Sequence, residues 1–421
     1  MSAPLPDVLH TLRARGFVQQ VSDESGLAAL LGKGPVSYYC GFDPTASSLH
    51  VGSMIPLMAL AHLARAGHHP IAVLGGGTAM VGDPSGKTEL RQMLSVETIK
   101  DNRDQIELQV RRFLGAAGEH ALVLDNAEWL VPLNYLEFLR DIGRHFSVNR
   151  MLAAEAYRLR LEKGLSFIEF NYQLLQAYDY LVLFRRYGCM LQIGGDDQWG
   201  NILAGTDLVR RLHQAETYAL TFPLIATASG AKMGKTAAGA IWLSAERTTP
   251  FDFYQYFVNV DDRDVIRFLK LLTFISLDEI QRFAALEGAE LRAAKQALAH
   301  AVTEIVHGKE AADTAQRGAR AAFAGSGGAV IGGSAPVEIV PTHRIGPAAL
   351  AAGAKIVDVL HAAGLAASKS VARRLVEQGG VRLGERKVTS IDEVIRAEEI
   401  AVEGTLLHAG KKHLRRIVVG D

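Results

Sequence analysis

VSYYCGF (36–42), IAVLGG (71–76), MLQIGG (190–195) and FPLIAT (222–227) are short apolar runs of strand length, and a glycine pair closes two of them. A helical segment from about Leu49 to Ala66 follows the first run. Strands that alternate with helices point to a parallel sheet, so residues 1–245 are expected to form a doubly wound, Rossmann-like α/β domain. Such sheets bind ligands beyond the carboxyl ends of their strands. Asp43, His50, Asp83, Asp197 and Gln198 all fall at such ends.

After about Thr249 the pattern changes. Glycine thins out as far as Phe323, and Ala, Leu, Glu, Arg and Lys recur at helical spacing, so 246–324 reads as a helical domain. GSGGAVIGGSAP (325–336) reads as a glycine-rich linker within 325–350, and 351–421 as a third unit. Hydrophobic residues at 48% and charged residues at 21% are the balance of a soluble globular protein. No apolar run is long enough to span a membrane, and MSAPLPDVLHTLRARGF lacks the regions of a signal peptide. A cytoplasmic protein without membrane contact is expected. Two cysteines, Cys40 and Cys189, make neither a disulfide framework nor a zinc site, so no tightly bound metal is expected. Basic and acidic residues balance at 45 each, so any nucleic-acid surface has to be local.

VGDPSGKTEL (81–90) imitates a phosphate-binding P-loop. That pattern needs glycine where Val81 stands, and Gly82 comes one residue late. Asp83 would also set a carboxylate among amides meant for anions. A turn remains. In YYCGFDPTASSLHVGS (38–53) a strand ends at Phe42, turns at Asp-Pro-Thr and reaches His50 where a helix begins. Free amides there favour anions, with Thr45 and His50 as added donors; an ordinary strand–turn–helix is the alternative.

Tyr172, Gln176 and Asp179 in FNYQLLQAYDYLVLF (170–184) share one helical face among apolar neighbours. Such groups need partners, either a structural network or a small polar ligand. QIGGDDQWGN (192–201) brings glycines and carboxylates to a strand end, a place where ribose hydroxyls are held. AKMGKTAAGAIWL (231–243) sets two lysines three apart in a small-residue loop, either solvated or suited to a migrating phosphate charge.

Together these stretches resemble bacterial-type tyrosyl-tRNA synthetases, which are class I aminoacyl-tRNA synthetases. His50-Val51-Gly52-Ser53 is similar to the family's HIGH signature and Lys232-Met233-Gly234-Lys235-Thr236 to its KMSKS loop. GFDPT, GDPSGK, QAYDY and GGDDQWGN match in order across 38–236. The resemblance implies that Tyr39 and Asp179 bond the phenol hydroxyl of L-tyrosine. Asp83, Tyr172 and Gln176 would hold its ammonium, and Gln198 its carboxyl end. Cys40 and Asp197 would contact the ribose of ATP, with Gly41, Asp43, Gly52 and Gly195 completing that site. Thr45, His50, Lys232, Lys235 and Thr236 would stabilise the phosphates of MgATP, assisted by Lys87 and Arg91. Ser53 departs from the second histidine of the signature, and Gly234 and Thr236 from its two serines. Pro56 demands the first helical turn or a kink.

KSVARRLVEQGGVRLGERK (369–387) holds six basic residues, Lys369, Arg373, Arg374, Arg382, Arg386 and Lys387, against Glu377 and Glu385, a local net of +4. VARRLVEQGGVRLGERKV (371–388) resembles the S4 RNA-binding module, which implies contact with tRNA(Tyr). The family also implies a homodimer. A tryptophan-specific relative and an RNA-binding relative without activity are the competing readings. A phenol pairs with Tyr39 plus Asp179, whereas an indole offers only an N–H.

Overall fold

The computed structural model describes residues 7–85, 93–153, 157, 161, 164–228, 230, 233–236, 239–323, 340–410 and 413–420. It divides into two compact units. One comprises Met1–Ala226 with Arg267–Leu272, the other Thr227–Ile266 with Thr273–Asp421.

The first unit is built on a six-stranded sheet. Its strands are β1 (Gln20–Val21), β2 (Ser37–Phe42), β3 (His69–Leu74), β4 (Leu122–Asp125), β5 (Cys189–Gly195) and β6 (Tyr218–Phe222). The order is β1-β6-β5-β2-β3-β4, parallel throughout except for β1 against β6. The chain steps outward from β2 through β3 to β4, then returns to the other side of β2 with β5 and β6. The strand order therefore reverses between β2 and β5, the crevice where doubly wound sheets hold ligands.

β2, β3 and β5 lie where their apolar runs indicate. β6 does not: it covers YALTF rather than FPLIAT, and all five of its residues are buried. Pro223 has no N–H for a ladder, which ends the strand at Phe222. The helix Met54–Arg65 is preceded by a 3₁₀ turn, Val51–Ser53. Pro56 is its third residue, within the first turn, where no intrahelical N–H bond is lost. This helix packs with Val96–Leu114, and Phe167–Tyr187 with Trp199–His213; both pairs lie against the sheet. Ser166 and Glu169 form a reciprocal capping box that fixes the start of Phe167–Tyr187.

In the second unit, Pro250–Val258 packs on Leu291–His307 and Lys309–Phe323, matching the helical composition of that stretch. The tail is a five-stranded sheet in the order Arg386–Lys387, Val381–Leu383, Thr405–Ala409, His413–Val419, Thr342–Ile345. Helices Ile356–Ala362 and Lys369–Glu377 share its core with Val381, Leu407 and Ile417. Thr342–Ile345 falls in the stretch expected as linker. Only Ile345 of its four residues is buried, so it carries little apolar signal. The glycine-rich segment 325–336 lies outside the described residues. Among the described residues no helix is long and apolar enough to cross a membrane.

Candidate active site

Polar side chains gather beyond the carboxyl ends of β2 to β5. Asp43 follows β2, and its carboxylate accepts from the Thr78 hydroxyl (2.8 Å) and the Tyr172 hydroxyl (3.0 Å). Gly75 has to be glycine, because a Cβ there would lie 2.0 Å from Asp43 Oδ1. Thr78 leads to Asn126, just past β4, which donates to it at 3.0 Å. The same amide donates to Asp179 Oδ2 (3.0 Å), and Trp129 Nε1 donates to Asp179 Oδ1 (2.7 Å).

Asp179 is only 4% exposed. Burial pushes its carboxyl up to about 7 against the pull of its two donors, and Asp43 adds repulsion. Tyr39, from β2, packs edge-on to Tyr180 with ring centroids 5.2 Å apart, in a cluster that includes Trp129. Burial, and next the charge of Asp179, raise the Tyr39 pKa, so its hydroxyl stays protonated. That hydroxyl is buried and has no hydrogen-bond partner among the described residues. Such a group costs roughly 1–3 kcal/mol when nothing answers it. The Gln192 Oε1 is in the same condition, and Gln192 pairs with Tyr39 across β2 and β5.

A second carboxylate lies nearby. Gly82, at φ +87°, turns the chain into Asp83, whose Oδ1 accepts from the Ser85 N–H at 2.9 Å. Gln198 Nε2 reaches Asp83 Oδ2 at 2.7 Å and Asp197 Oδ2 at 3.1 Å. Asn201 links Gln198 Oε1 (3.3 Å) to Gln176 Oε1 (3.1 Å). Burial raises the carboxyls of Asp83 and Asp197, and Asp43 adds to the effect on Asp83. Partly desolvated acids that repel one another suit a cation. Tyr172, Gln176 and Asp179 do share one face, and every one of them has a partner. Lys87 and Arg91 lie outside the described residues.

The family of class I tRNA synthetases for tryptophan and tyrosine matches residues 32–324, and the S4 domain matches 355–400. The chain is 50% identical to the tyrosine–tRNA ligase of Desulfosudis oleivorans, over 98% of this chain and 99% of that one. It is 48% identical to the ligase of Caldanaerobacter subterraneus, over 98% and 100%. The truncated mitochondrial tyrosyl-tRNA synthetase of Aspergillus nidulans superposes with a TM-score of 0.68 at 31% identity, over 76% of this chain and 94% of that one. The chain belongs to the class I tyrosyl-tRNA synthetases.

Its HIGH-like stretch starts at His50, an exposed residue whose Nδ1 accepts from the Gly52 N–H at 3.0 Å. With Nδ1 accepting, the neutral ring carries its proton on Nε2, which becomes a donor. Thr45 is exposed beside the turn, its N–H bonded to the Asp43 carbonyl at 2.8 Å. Cys40 is buried and burial pushes its thiol up to about 12, so it stays a neutral thiol and no nucleophile.

The KMSKS-like loop belongs to the other unit. Lys232 and the side chains of Lys235 and Thr236 lie outside the described residues; the backbone of Lys235–Thr236 pairs with Gly239–Ala240. In the S4 module, Lys369, Arg373 and Arg374 lie on one helix, Arg382 on a strand, and Arg386 and Lys387 on the next. All six are exposed. Lys369 pairs with Asp358 at 2.7 Å, and Arg386 with Glu393 (2.6 Å) and Glu399 (2.7 Å). Two of the six charges are thus answered within the module.

Thr78, Asn126, Trp129, Gln192 and Asn201 join the site without having been singled out in the sequence. Of these, Asn126 and Trp129 follow β4, a four-residue strand too short to attract notice. Gln192 and Asn201 open and close QIGGDDQWGN, with Asn201 one turn beyond Gln198.

Proposed function

We propose that this synthetase activates L-tyrosine with MgATP and esterifies tRNA(Tyr). The observation that carries the choice of amino acid is the buried Tyr39 hydroxyl, which has no hydrogen-bond partner among the described residues and feels the charge of Asp179. A substrate phenol can accept from Tyr39 and donate to Asp179, so both groups become paired. An indole N–H could serve Asp179 but would leave Tyr39 unpaired, which weighs against tryptophan.

In the first step the tyrosine carboxylate attacks the α-phosphorus, the bond to the β-phosphate oxygen breaks, and pyrophosphate leaves with that electron pair. In the second, a hydroxyl of the terminal ribose of tRNA attacks the acyl carbon and AMP leaves. The carboxylate is already nucleophilic, so rate enhancement comes from alignment and charge stabilisation. Asp83, Tyr172 and Gln176 would hold the substrate ammonium, which relieves the repulsion among Asp43, Asp83 and Asp179, and Gln198 its carboxyl end. Cys40, Gly41, Asp43, Gly52, Gly195 and Asp197 would line the adenosine side. Thr45, His50 through Nε2, Lys232, Lys235 and Thr236 would meet the charge on departing pyrophosphate, with a smaller part for Lys87 and Arg91. Ser53 supplies a hydroxyl where the signature has imidazole.

Residues 1–245, 246–324 and 351–421 would serve catalysis, the anticodon side and tRNA backbone contact. A cytoplasmic homodimer follows as the working form. Exposed apolar side chains at Val131 (60%), Leu136 (74%) and Phe167 (70%) offer candidate partner contacts for a dimer. Light scattering of Phe167→Asp should give half the mass of the wild type; an unchanged mass would place the contact elsewhere. ATP–pyrophosphate exchange tested across amino acids decides the substrate: exchange with tryptophan and none with tyrosine would end this reading, and no exchange at all would favour an inactive relative.

A further inference from the structure

The helix Pro250–Val258 follows the KMSKS-like loop and one of its side chains reaches back to it. The Tyr256 hydroxyl accepts from the Gly234 N–H at 3.2 Å, and the Gly234 carbonyl accepts from the Ile241 N–H at 2.7 Å. Both backbone groups of Gly234 are held, at φ +77°, a conformation that favours glycine. Met233 beside it is buried, and Lys235 on its other side pairs with Ala240. Upstream, the Ala228 N–H is held by the Asp264 carboxylate at 2.8 Å. Two successive helices therefore grip the loop, one at its root and one a single residue before Lys235.

We propose that Tyr256 is a positioning residue for tyrosine activation: its hydroxyl fixes the backbone at Gly234 and so the point from which Lys235 extends. The inference rests on the role proposed above for Lys235. The hydroxyl is the active part, since the ring packs edge-on to Phe257 at 5.0 Å and a phenylalanine would keep that contact. Burial raises the Tyr256 pKa, so the group stays a neutral hydroxyl across the working pH range.

The test is single-turnover formation of tyrosyl-adenylate by the full chain at saturating ATP and tyrosine. Tyr256→Phe should slow it roughly three- to tenfold, the worth of one net hydrogen bond. Its dissociation constant for tyrosine should match the wild type, and its thermal midpoint should fall by no more than one lost hydrogen bond explains. In a Lys235→Ala background the same change should add little, because the two act as one unit. Gly234→Ala, which strains the same backbone, should likewise absorb the effect of Tyr256→Phe. A Tyr256→Phe enzyme as fast as the wild type overturns the inference, and so does a full, independent loss in the Lys235→Ala background. Wild-type activity with tyrosine is measured alongside; its absence would instead remove the functional reading.

Discussion

Asp179 and Arg382 are both charged side chains proposed to meet substrates, and their surroundings are opposite. Asp179 is 4% exposed, between Trp129 Nε1 and Asn126 Nδ2. Arg382 is the one exposed residue of a three-residue strand of the S4 module, between buried Val381 and Leu383. A buried group is worth most when a ligand completes its bonding and costs most when its partner is missing, which yields discrimination between near-identical substrates. An exposed cation gains little from any one contact and is screened by salt, which suits a long phosphate backbone read by shape. The proposed function thus joins an all-or-none amino-acid site and a graded RNA surface in one chain.

The contrast is broken most directly at its buried end. Asp179→Ala removes a charged acceptor and leaves the Trp129 and Asn126 donors unpaired. We expect kcat/KM for tyrosine to fall by roughly a hundredfold or more, about 3 kcal/mol, while phenylalanine changes little. Exchange kinetics with both amino acids check this. Equal losses for the two would show that Asp179 supports the fold and not selectivity.

The pH dependence follows from the same carboxyl, raised to about 7. A carboxyl raised on folding stabilises the protein below its unfolded pKa, near 3.8, and that stability is lost as pH rises through about 7. Binding runs the other way. The phenol donates to the ionised form, so tyrosine affinity should weaken below pH 7, by up to roughly tenfold per unit. Asp83, also raised by burial, titrates in the same sense. Calorimetric titration of Asp179→Asn separates them: a slope that survives that change belongs to Asp83.

Tyr39→Phe has a smaller expected effect. It removes a hydroxyl that has no partner among the described residues, so the ligand-free protein should melt no lower than the wild type. Preference for tyrosine over phenylalanine should drop roughly five- to tenfold. A lower midpoint in scanning calorimetry would mean that the hydroxyl is already satisfied in the free protein.

The two regions also differed in how far the sequence revealed them. The tail strip is local: six cations within nineteen residues are visible to simple counting, and all six are exposed. The sheet was legible where apolar runs were long, in β2, β3 and β5, because burial on both faces leaves a continuous signal. It failed at β6, where threonine and tyrosine diluted the run and the stretch around Pro223 looked more apolar. In the pocket, the i, i+4, i+7 face of Tyr172, Gln176 and Asp179 showed in the helical period, but what answers it did not. Asn126 and Trp129 lie about fifty residues away in sequence and meet Asp179 only through the order of the strands. Long-range pairing of that kind leaves no mark on either segment alone.

The smallest effect belongs to the tail and tests whether its charges are interchangeable. A phosphate-contacting cation lowers the salt slope of binding by about one unit when removed, without changing which sequences bind. Arg373→Ala should do this in filter binding of tRNA(Tyr) from low to moderate salt. Lys369→Ala should do less, because Lys369 already holds Asp358 at 2.7 Å and releases fewer counterions on meeting RNA. Asp358→Ala frees that lysine and should steepen the slope. If Lys369→Ala matched Arg373→Ala, the ion pair would be a weak surface contact that yields to phosphate, as exposed pairs worth under about 1 kcal/mol can. The strip would then act as one undivided field of charge, further still from the group-by-group bonding around Asp179.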